Sequence, residues 1–118
     1  MRILIVEDDP LIALDLQAIV EGEGHRVVRV CPSLADARRH VVGEFDFALL
    51  DVDLGDGKSF EVAFRLCERH IPFAFVSGSR RSDLPFDLCG AAFVPKPYGE
   101  DAILRTLAAG RLVAAAVA

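Results

Sequence analysis

The chain has 118 residues, of which 53% are hydrophobic and 26% are charged, and its formal net charge at pH 7 is −5. This length suits one domain, residues 1–118, with a single hydrophobic core. The acidic balance excludes a general nucleic-acid binder, because phosphate-backbone binding requires an excess of lysine and arginine. The first apolar run is too short for a secretion signal, and no run reaches the roughly 20 residues of a membrane span. We therefore expect a cytoplasmic protein that does not insert into membranes.

Short apolar runs alternate with segments of helical periodicity, and this alternation predicts five β–α units. The predicted strands are residues 3–6, 26–30, 45–50, 73–76 and 92–94. Strands joined by helices run parallel, and the strict alternation favours a sheet covered on both faces. Arg29 in the second strand and Pro95 after the fifth are best tolerated at sheet edges. The predicted fold class is α/β, a flavodoxin-like, doubly wound, five-stranded parallel sheet of order 2-1-3-4-5 with helices on both faces.

The helices are predicted from their caps and their apolar positions. Asp9 followed by Pro10 predicts the start of the first helix, and Ser33 with Asp36 forms a capping-box pattern for the second. The fourth helix is predicted to be short, because its segment contains Pro85. The residues predicted to face the core are Phe60, Ala63, Phe64 and Cys67 in the third helix and Ile103, Leu104, Leu107 and Ala108 in the last.

The three cysteines are few and far apart in the chain. Cys31, Cys67 and Cys89 are odd in number and lack the spacing of a disulfide framework or a zinc site. We expect all three to be buried, reduced thiols.

Polar residues follow each of the four strands predicted at the centre and one edge of the sheet. Glu7 and Asp8 follow the first strand, Asp51 the third, Ser77 the fourth and Lys96 the fifth. In such sheets, ligands bind beyond the carboxyl ends of the strands. Three converging carboxylates repel one another and raise their own pKa values unless a cation lies among them. Oxygen ligands of this kind predict a bound Mg²⁺ ion.

Asp51 has the properties of a nucleophile that carries a phosphoryl group covalently. It ends a buried central strand, and a carboxylate can form such an intermediate. The Lys96 ammonium, the Ser77 hydroxyl and Mg²⁺ would then neutralise or hydrogen-bond the phosphoryl oxygens.

The runs ILIVEDDPLI, FALLD, VSG and KPY, in this order at strand ends, resemble the response-regulator receiver family of bacterial two-component systems. The resemblance spans nearly the whole chain. It implies that Asp51 is the phosphoacceptor. It also implies that Asp8 contacts the metal directly, Glu7 contacts it through water, and the main-chain carbonyl of Asp53 completes the metal site.

The same resemblance assigns the remaining roles. Ser77 takes the position of the switch hydroxyl, Phe93 that of the switch aromatic residue, and Lys96 that of the phosphate-binding lysine, with a cis peptide bond before Pro97. The implied partners are a histidine kinase or a histidine phosphotransfer protein as donor and an output protein that the sequence does not name. A homodimer through the apolar end LVAAAVA is an open possibility. The only reactions expected are phosphorylation and dephosphorylation of Asp51 itself.

Three positions depart from the family pattern. Gly55 stands where the family usually has a proline, in a tighter loop after the acceptor. The segment between Ser77 and Lys96 is shorter than usual, and serine replaces the commoner threonine at the switch position. The run PFAFVSGS resembles in part the alphaproteobacterial single-domain receivers that have a Phe-Ala-Thr-Gly signature.

Two other functions remain open. The run LLDVDLGDG also resembles the start of haloacid-dehalogenase-type, Mg²⁺-dependent phosphatases, although that family has its D-x-D after the first core strand. A pseudo-receiver that binds partners without phosphorylation is the third possibility. Asp53 and Ser79 are either solvated loop residues or neighbours of the phosphoryl group that tune its hydrolysis. Arg80 and Arg81 form a small basic spot whose side chains are either solvated or steer a phosphodonor.

Overall fold

The computed structural model describes residues 1–117, with side chains described for residues 1–113. The strands in chain order are β1 (Arg2–Val6), β2 (Arg26–Cys31), β3 (Phe47–Leu50), β4 (Asp53–Leu54), β5 (Gly57–Lys58), β6 (Phe73–Ser77) and β7 (Ala92–Pro95). The helices are α1 (Pro10–Gly22), α2 (Leu34–His40), α3 (Phe60–Glu68) and α4 (Glu100–Val117). Most of the apolar end that was considered for self-association lies outside the described side chains.

Five parallel strands form the main sheet in the order β2-β1-β3-β6-β7. Because β6 and β7 are the fourth and fifth strands of this sheet, the predicted order 2-1-3-4-5 is confirmed. The strands β4 and β5 form a separate antiparallel hairpin directly after β3. From the sequence, only a tight loop was expected there.

The sheet separates two hydrophobic cores, as expected for a doubly wound fold. On one face, buried side chains of α2 and α3 pack against the sheet, among them Ala37 and Leu66. On the other face, α1 and α4 contribute Leu16 and Ile103. Alternate residues of each central strand point to opposite faces, so one strand contributes apolar side chains to both cores.

The predicted fourth α-helix is wrong. Two single-turn 3₁₀ helices, Arg81–Asp83 and Phe86–Leu88, take its place. Leu84 between them has an extended backbone, as the residue before Pro85 is expected to have. Pro85 also lacks the N–H that a continuous helix would need.

Parts of the predicted burial are also wrong. In α3 the buried residues are Val62, Ala63 and Leu66, whereas Phe64 is 37% exposed and Cys67 is exposed. Each helical residue turns by about 100°, so a shift of one or two positions exposes side chains that were predicted to be internal. In the remainder of the chain, Ala108 and Cys89 are also exposed.

Among the described residues, no helix combines the length and the apolar character that a bilayer crossing requires.

Candidate functional site

The acidic residues predicted to meet at the carboxyl edge of the sheet lie together. Val6 and Leu50 are paired in the register of β1 and β3, so the residues that follow them leave the sheet side by side. The main-chain N–H of Asp51 donates to the carbonyl of Val6 at 2.8 Å. Carboxylate oxygens of Glu7, Asp8 and Asp51 lie within 4.8 Å of one another.

Lys96 joins this cluster from the end of β7, which is separated from β3 by β6. Its main-chain N–H donates to the carbonyl of Ser77 at 2.9 Å, which places it beside the end of β6. Its Nζ donates to Glu7 Oε1 at 2.5 Å and to Asp51 Oδ2 at 3.1 Å. The side chain of Glu7 is 1% exposed and that of Asp51 is 9% exposed, so both ion pairs are largely shielded from water.

The electrostatics of the cluster follow from burial and mutual charge. Burial raises the pKa of Glu7 to about 7, and the charge of Asp51 adds to this effect while Lys96 opposes it. Burial lowers the pKa of Lys96, but hydrogen bonds and charges from Glu7 and Asp51 outweigh it and leave that pKa raised. Three carboxylates facing one ammonium leave a surplus of negative charge. This oxygen donor set fits a hard divalent cation such as Mg²⁺.

The β4–β5 hairpin is tied to the acceptor strand by Ser59. The hydroxyl of this fully buried serine donates to the main-chain carbonyl of Asp51 at 2.6 Å, and its N–H donates to the carbonyl of Val52 at 3.0 Å. The backbone of Asp51 is therefore held by Ser59 as well as by Val6 of β1. Sequence reasoning missed Ser59, because a serine after a glycine-rich turn also occurs as an ordinary helix cap.

Asp53 and Ser79 contact each other at the rim of the site. The Ser79 hydroxyl donates to Asp53 Oδ2 at 2.5 Å, and the Lys58 ammonium binds the other carboxylate oxygen. These bonds lower the pKa of Asp53, the one from Lys58 having the larger effect. The two residues thus connect the hairpin to the loop after β6. The carboxylate of Asp53 is not part of the cluster formed by Glu7, Asp8 and Asp51.

The two residues predicted to act as a switch lie on β6 and β7. Ser77 is 1% exposed, and its hydroxyl oxygen accepts a hydrogen bond from the N–H of Ser79 at 3.2 Å. Phe93 is half-buried, and its ring centroid lies 6.4 Å from that of Phe75. The guanidinium of Arg81 lies 5.7 Å from the centre of the Phe93 ring.

Arg81 is neither simply solvated nor directed at the acidic cluster. Its guanidinium donates to the main-chain carbonyls of Cys89 at 2.8 Å and Ala91 at 2.6 Å. It therefore closes the irregular segment that replaces the fourth helix. The sequence contained no signal for this contact, because both acceptors belong to the main chain. The peptide bond between Lys96 and Pro97 is cis, as the resemblance implied.

A second group of metal-ligating side chains, Cys31, Asp36 and His40, is a poor cation site. Oxygen, sulfur and nitrogen atoms of the three lie within 4.8 Å of one another. However, Arg39 donates to Asp36 at 2.9 Å, and Arg29 lies 3.6 Å from its other oxygen. Burial raises the pKa of the Cys31 thiol to about 12. The guanidinium groups already neutralise the carboxylate, so this group is a structural ion-pair cluster.

The arrangement differs from the one that the phosphatase alternative requires. Asp51 follows β3, the third strand along the chain, rather than the first core strand. The acidic pair downstream of the lysine, Glu100 and Asp101, is exposed in the first turn of α4.

Known proteins resemble this chain over most of its length. A sequence profile described as "Response regulator receiver domain" matches residues 3–108. The solution structure of SdrG from Sphingomonas melonis is 36% identical, covers 94% of this chain and 96% of that chain, and has a TM-score of 0.82. TrrA from Thermotoga maritima, determined in complex with Mg²⁺-BeF, is 19% identical, covers 92% of this chain and 97% of that chain, and has a TM-score of 0.81. At that identity, the similarity to TrrA concerns the fold.

Another relative matches a shorter part of the chain at a higher sequence identity. The phyllosphere-induced regulator PhyR from Methylorubrum extorquens is 45% identical over 61 residues, which cover 49% of this chain and 22% of PhyR. The chain spans less than half the length of the curated relatives that it matches.

Proposed function

Because this chain belongs to the response regulator receiver domain family of two-component signalling, we propose that it accepts a phosphoryl group from a phosphohistidine onto Asp51. The observation that carries the proposal is the contact of Lys96 with both Asp51 and Glu7 in a cluster that also contains Asp8. This cluster supplies a buried nucleophile in Asp51, a positive charge in the Lys96 ammonium, and oxygen donors for a divalent metal. We propose residues 1–118 as one receiver unit.

In the proposed reaction, a carboxylate oxygen of Asp51 attacks the phosphorus atom of the phosphohistidine. The new P–O bond forms as the P–N bond breaks, and the imidazole nitrogen keeps the electron pair and takes up a proton. Ser59 and Val6 hold the backbone of Asp51 during this step through their hydrogen bonds. Positioning of this kind accounts for much of the rate in phosphoryl transfer.

Lys96 and the metal ligands have separate tasks. The Lys96 ammonium, already 3.1 Å from Asp51, would turn from the carboxylates to the phosphoryl oxygens. Glu7, Asp8, Asp51 and the main-chain carbonyl of Asp53 would hold Mg²⁺. When bound, Mg²⁺ supplies positive charge to the phosphoryl oxygens. The complex of TrrA with Mg²⁺-BeF supports this choice of ion.

The proposed switch uses Ser77 and Phe93. A phosphoryl group on Asp51 offers the Ser77 hydroxyl a charged acceptor, which forms a stronger hydrogen bond than a neutral one. Phe93 would then repack beneath Arg81, which presently lies 5.7 Å from its ring. This rearrangement would change the surface formed by the two 3₁₀ helices, β7 and α4. An output protein or a second copy of the chain would bind that surface.

The surface of α1 supports a protein as the phosphodonor. Leu11 and Leu14 are 76% and 63% exposed in the first turns of this helix. A cavity of about 270 Å³ beside Leu14 is also lined by Glu7 and Asp8. Exposed apolar side chains next to the acidic cluster favour docking of a macromolecule. We propose a histidine kinase or a histidine phosphotransfer protein for this partner.

Intact-mass analysis after incubation with acetyl phosphate and Mg²⁺ tests the proposal. We expect one labile phosphate adduct on the wild type and none on Asp51→Asn. Asp46→Asn is the matched control, because Asp46 binds Arg2 at the opposite edge of the sheet. A wild type that forms no adduct with acetyl phosphate or any phosphohistidine protein would be a pseudo-receiver. Rapid turnover of added organic phosphates would instead indicate a phosphatase.

A further inference from the structure

The tip of the β4–β5 hairpin binds the start of α2. Asp56, which lies between the two strands, accepts hydrogen bonds from the main-chain N–H groups of Leu34 at 2.7 Å and Ala35 at 3.0 Å. These bonds lower the pKa of Asp56, the bond from Leu34 having the larger effect. Leu34 and Ala35 are the first two residues of α2, whose N–H groups have no partner within the helix.

The bonds from Asp56 are additional to a cap that α2 already has. The Ser33 hydroxyl accepts from the N–H of Asp36 at 3.1 Å, as expected for an N-cap serine. Asp56 therefore adds a second set of bonds from a distant part of the chain. Gly57 has φ of +145°, and a β-carbon there would lie 3.1 Å from Leu34 Cδ2. The hairpin thus packs closely on α2 as well as binding it.

The same hairpin borders the acidic cluster. A β-carbon built on Gly55 lies 4.0 Å from Asp8 Oδ2, so the main chain of the tip passes beside this carboxylate. The base of the hairpin is held by the bond from Ser59 to the carbonyl of Asp51. The hairpin is therefore fixed at its base by Ser59, beside the paired residues Asp53 and Lys58, and at its tip by Asp56.

We propose that Asp56 is a positioning residue for the cation site. By binding the start of α2, it holds the main chain of Asp53 and Gly55 against the cluster that contains Asp8. This inference rests on the proposed function, because it concerns Mg²⁺ binding and phosphoryl transfer at that cluster. Asp56 itself has no contact with Asp51 or Lys96 among its hydrogen bonds and acts only through the hairpin.

Three variants separate this role from simple capping of α2. Asp56→Ala removes both bonds to the helix. Asp56 accepts these bonds through its two different oxygens, so Asp56→Asn removes the charge and one acceptor but keeps one oxygen, which caps helices well. Ser33→Ala weakens the same end of α2 without touching the hairpin. The readouts are the Mg²⁺ dissociation constant from NMR titration of backbone amides, the ¹⁵N order parameters of residues 53–58 without metal, and the KM and kcat for acetyl phosphate.

We expect Asp56→Ala to weaken Mg²⁺ binding by about tenfold, which is the lower range for loss of an outer-shell contact at a metal site. Its hairpin order parameters should fall from about 0.85 toward 0.6, and the KM for acetyl phosphate should rise more than kcat falls. Asp56→Asn should keep most of the wild-type affinity. Ser33→Ala should lower the melting temperature while leaving the Mg²⁺ affinity and the hairpin order unchanged.

Two results would overturn the inference while leaving the proposed function intact. One is wild-type Mg²⁺ affinity and hairpin order in Asp56→Ala, on a background where the wild type forms its adduct. The other is equal loss of affinity in Asp56→Asn and Asp56→Ala, which would show that the bond to α2 retained by asparagine contributes nothing to the cation site. A wild type that neither binds Mg²⁺ nor forms an adduct would overturn the proposed function and this inference together.

Discussion

The ammonium nitrogen of Lys96 lies 3.1 Å from Oδ2 of Asp51, although 45 residues separate them in the chain. The same nitrogen lies 2.5 Å from Oε1 of Glu7. Lys96 thus neutralises part of the charge that a divalent cation would otherwise neutralise. The lysine and a bound Mg²⁺ ion would compete electrostatically for the same carboxylates, although both would assist the proposed transfer of a phosphoryl group.

This competition predicts opposite effects of Lys96→Ala on binding and on reaction. Loss of the ammonium should tighten Mg²⁺ binding by roughly three- to tenfold, because one opposing charge is removed. Formation of the adduct should slow by about 100-fold, as is typical when one stabilising donor is lost. Calorimetric Mg²⁺ titration and intact-mass time courses measure the two effects.

Lys58→Ala is the matched control for this prediction. It removes the same charge from the hairpin, where Lys58 binds Asp53 rather than Glu7 or Asp51. We expect Lys58→Ala to change the Mg²⁺ affinity less than Lys96→Ala does. Weaker Mg²⁺ binding in Lys96→Ala would contradict the argument from competition.

The contact between Ser79 and Asp53 predicts a change in the lifetime of the phosphorylated protein. Their hydrogen bond connects the hairpin to the loop after β6 at the rim of the site. Its loss in Ser79→Ala should admit water and shorten the half-life of the adduct by roughly two- to fivefold, as expected for an exposed bond worth at most about 1 kcal/mol. The half-life is measured by intact mass after removal of the phosphodonor. An unchanged half-life, equal to that of the exposed control Ser82→Ala, would mean that both residues are simply solvated.

The close packing of α4 on the sheet at Gly110 can be tested by substitution. A β-carbon at this position would lie 2.0 Å from Cε2 of Phe47, whose ring is 1% exposed and has little room to move. Gly110→Ala should therefore lower the free energy of unfolding by about 1–3 kcal/mol through overpacking, although alanine favours helices. Urea denaturation measures this change.

Gly22→Ala is the control for Gly110→Ala. Gly22 is the last residue of α1, and no heavy atom lies within 4 Å of the position of its β-carbon. This substitution should raise the free energy of unfolding by up to about 1 kcal/mol through helix propensity. Equal effects of the two substitutions would show that packing at Phe47 tolerates the extra methyl group.

The cysteines differ in burial, so we expect them to differ in reactivity with a thiol reagent such as DTNB. Cys67 and Cys89 are exposed and should react in the native protein. Cys31 is 0% exposed, and burial raises its pKa to about 12, so it holds little of the reactive thiolate at neutral pH. It should react only after unfolding. Cys31→Ala should abolish this slow phase and leave the fast phase unchanged, whereas a native-state reaction of Cys31 would contradict the buried position.

The sequence alone determined the order of the sheet and the place of the acidic cluster. Local alternation of apolar runs predicts strands. The charge of Arg29 and the missing main-chain N–H of Pro95 predict edge positions for their strands, which the sheet confirms. In a parallel sheet, strand ends meet at one edge. For this reason, Glu7, Asp51 and Lys96 could be expected to meet without any knowledge of their contacts.

Other features depended on the tertiary structure, because packing rather than local pattern decides them. The periodicity of α3 was compatible with burial of Phe64, but the docking of the helix exposes it. Pro85 predicted a short fourth helix, and only the contacts of Arg81 show how two 3₁₀ turns are closed in its place. The bonds from Asp56 to α2 join residues more than 20 positions apart, and no local pattern encodes such a contact. The sequence therefore located the acidic cluster and its lysine, whereas the fold determined which neighbours hold them in position.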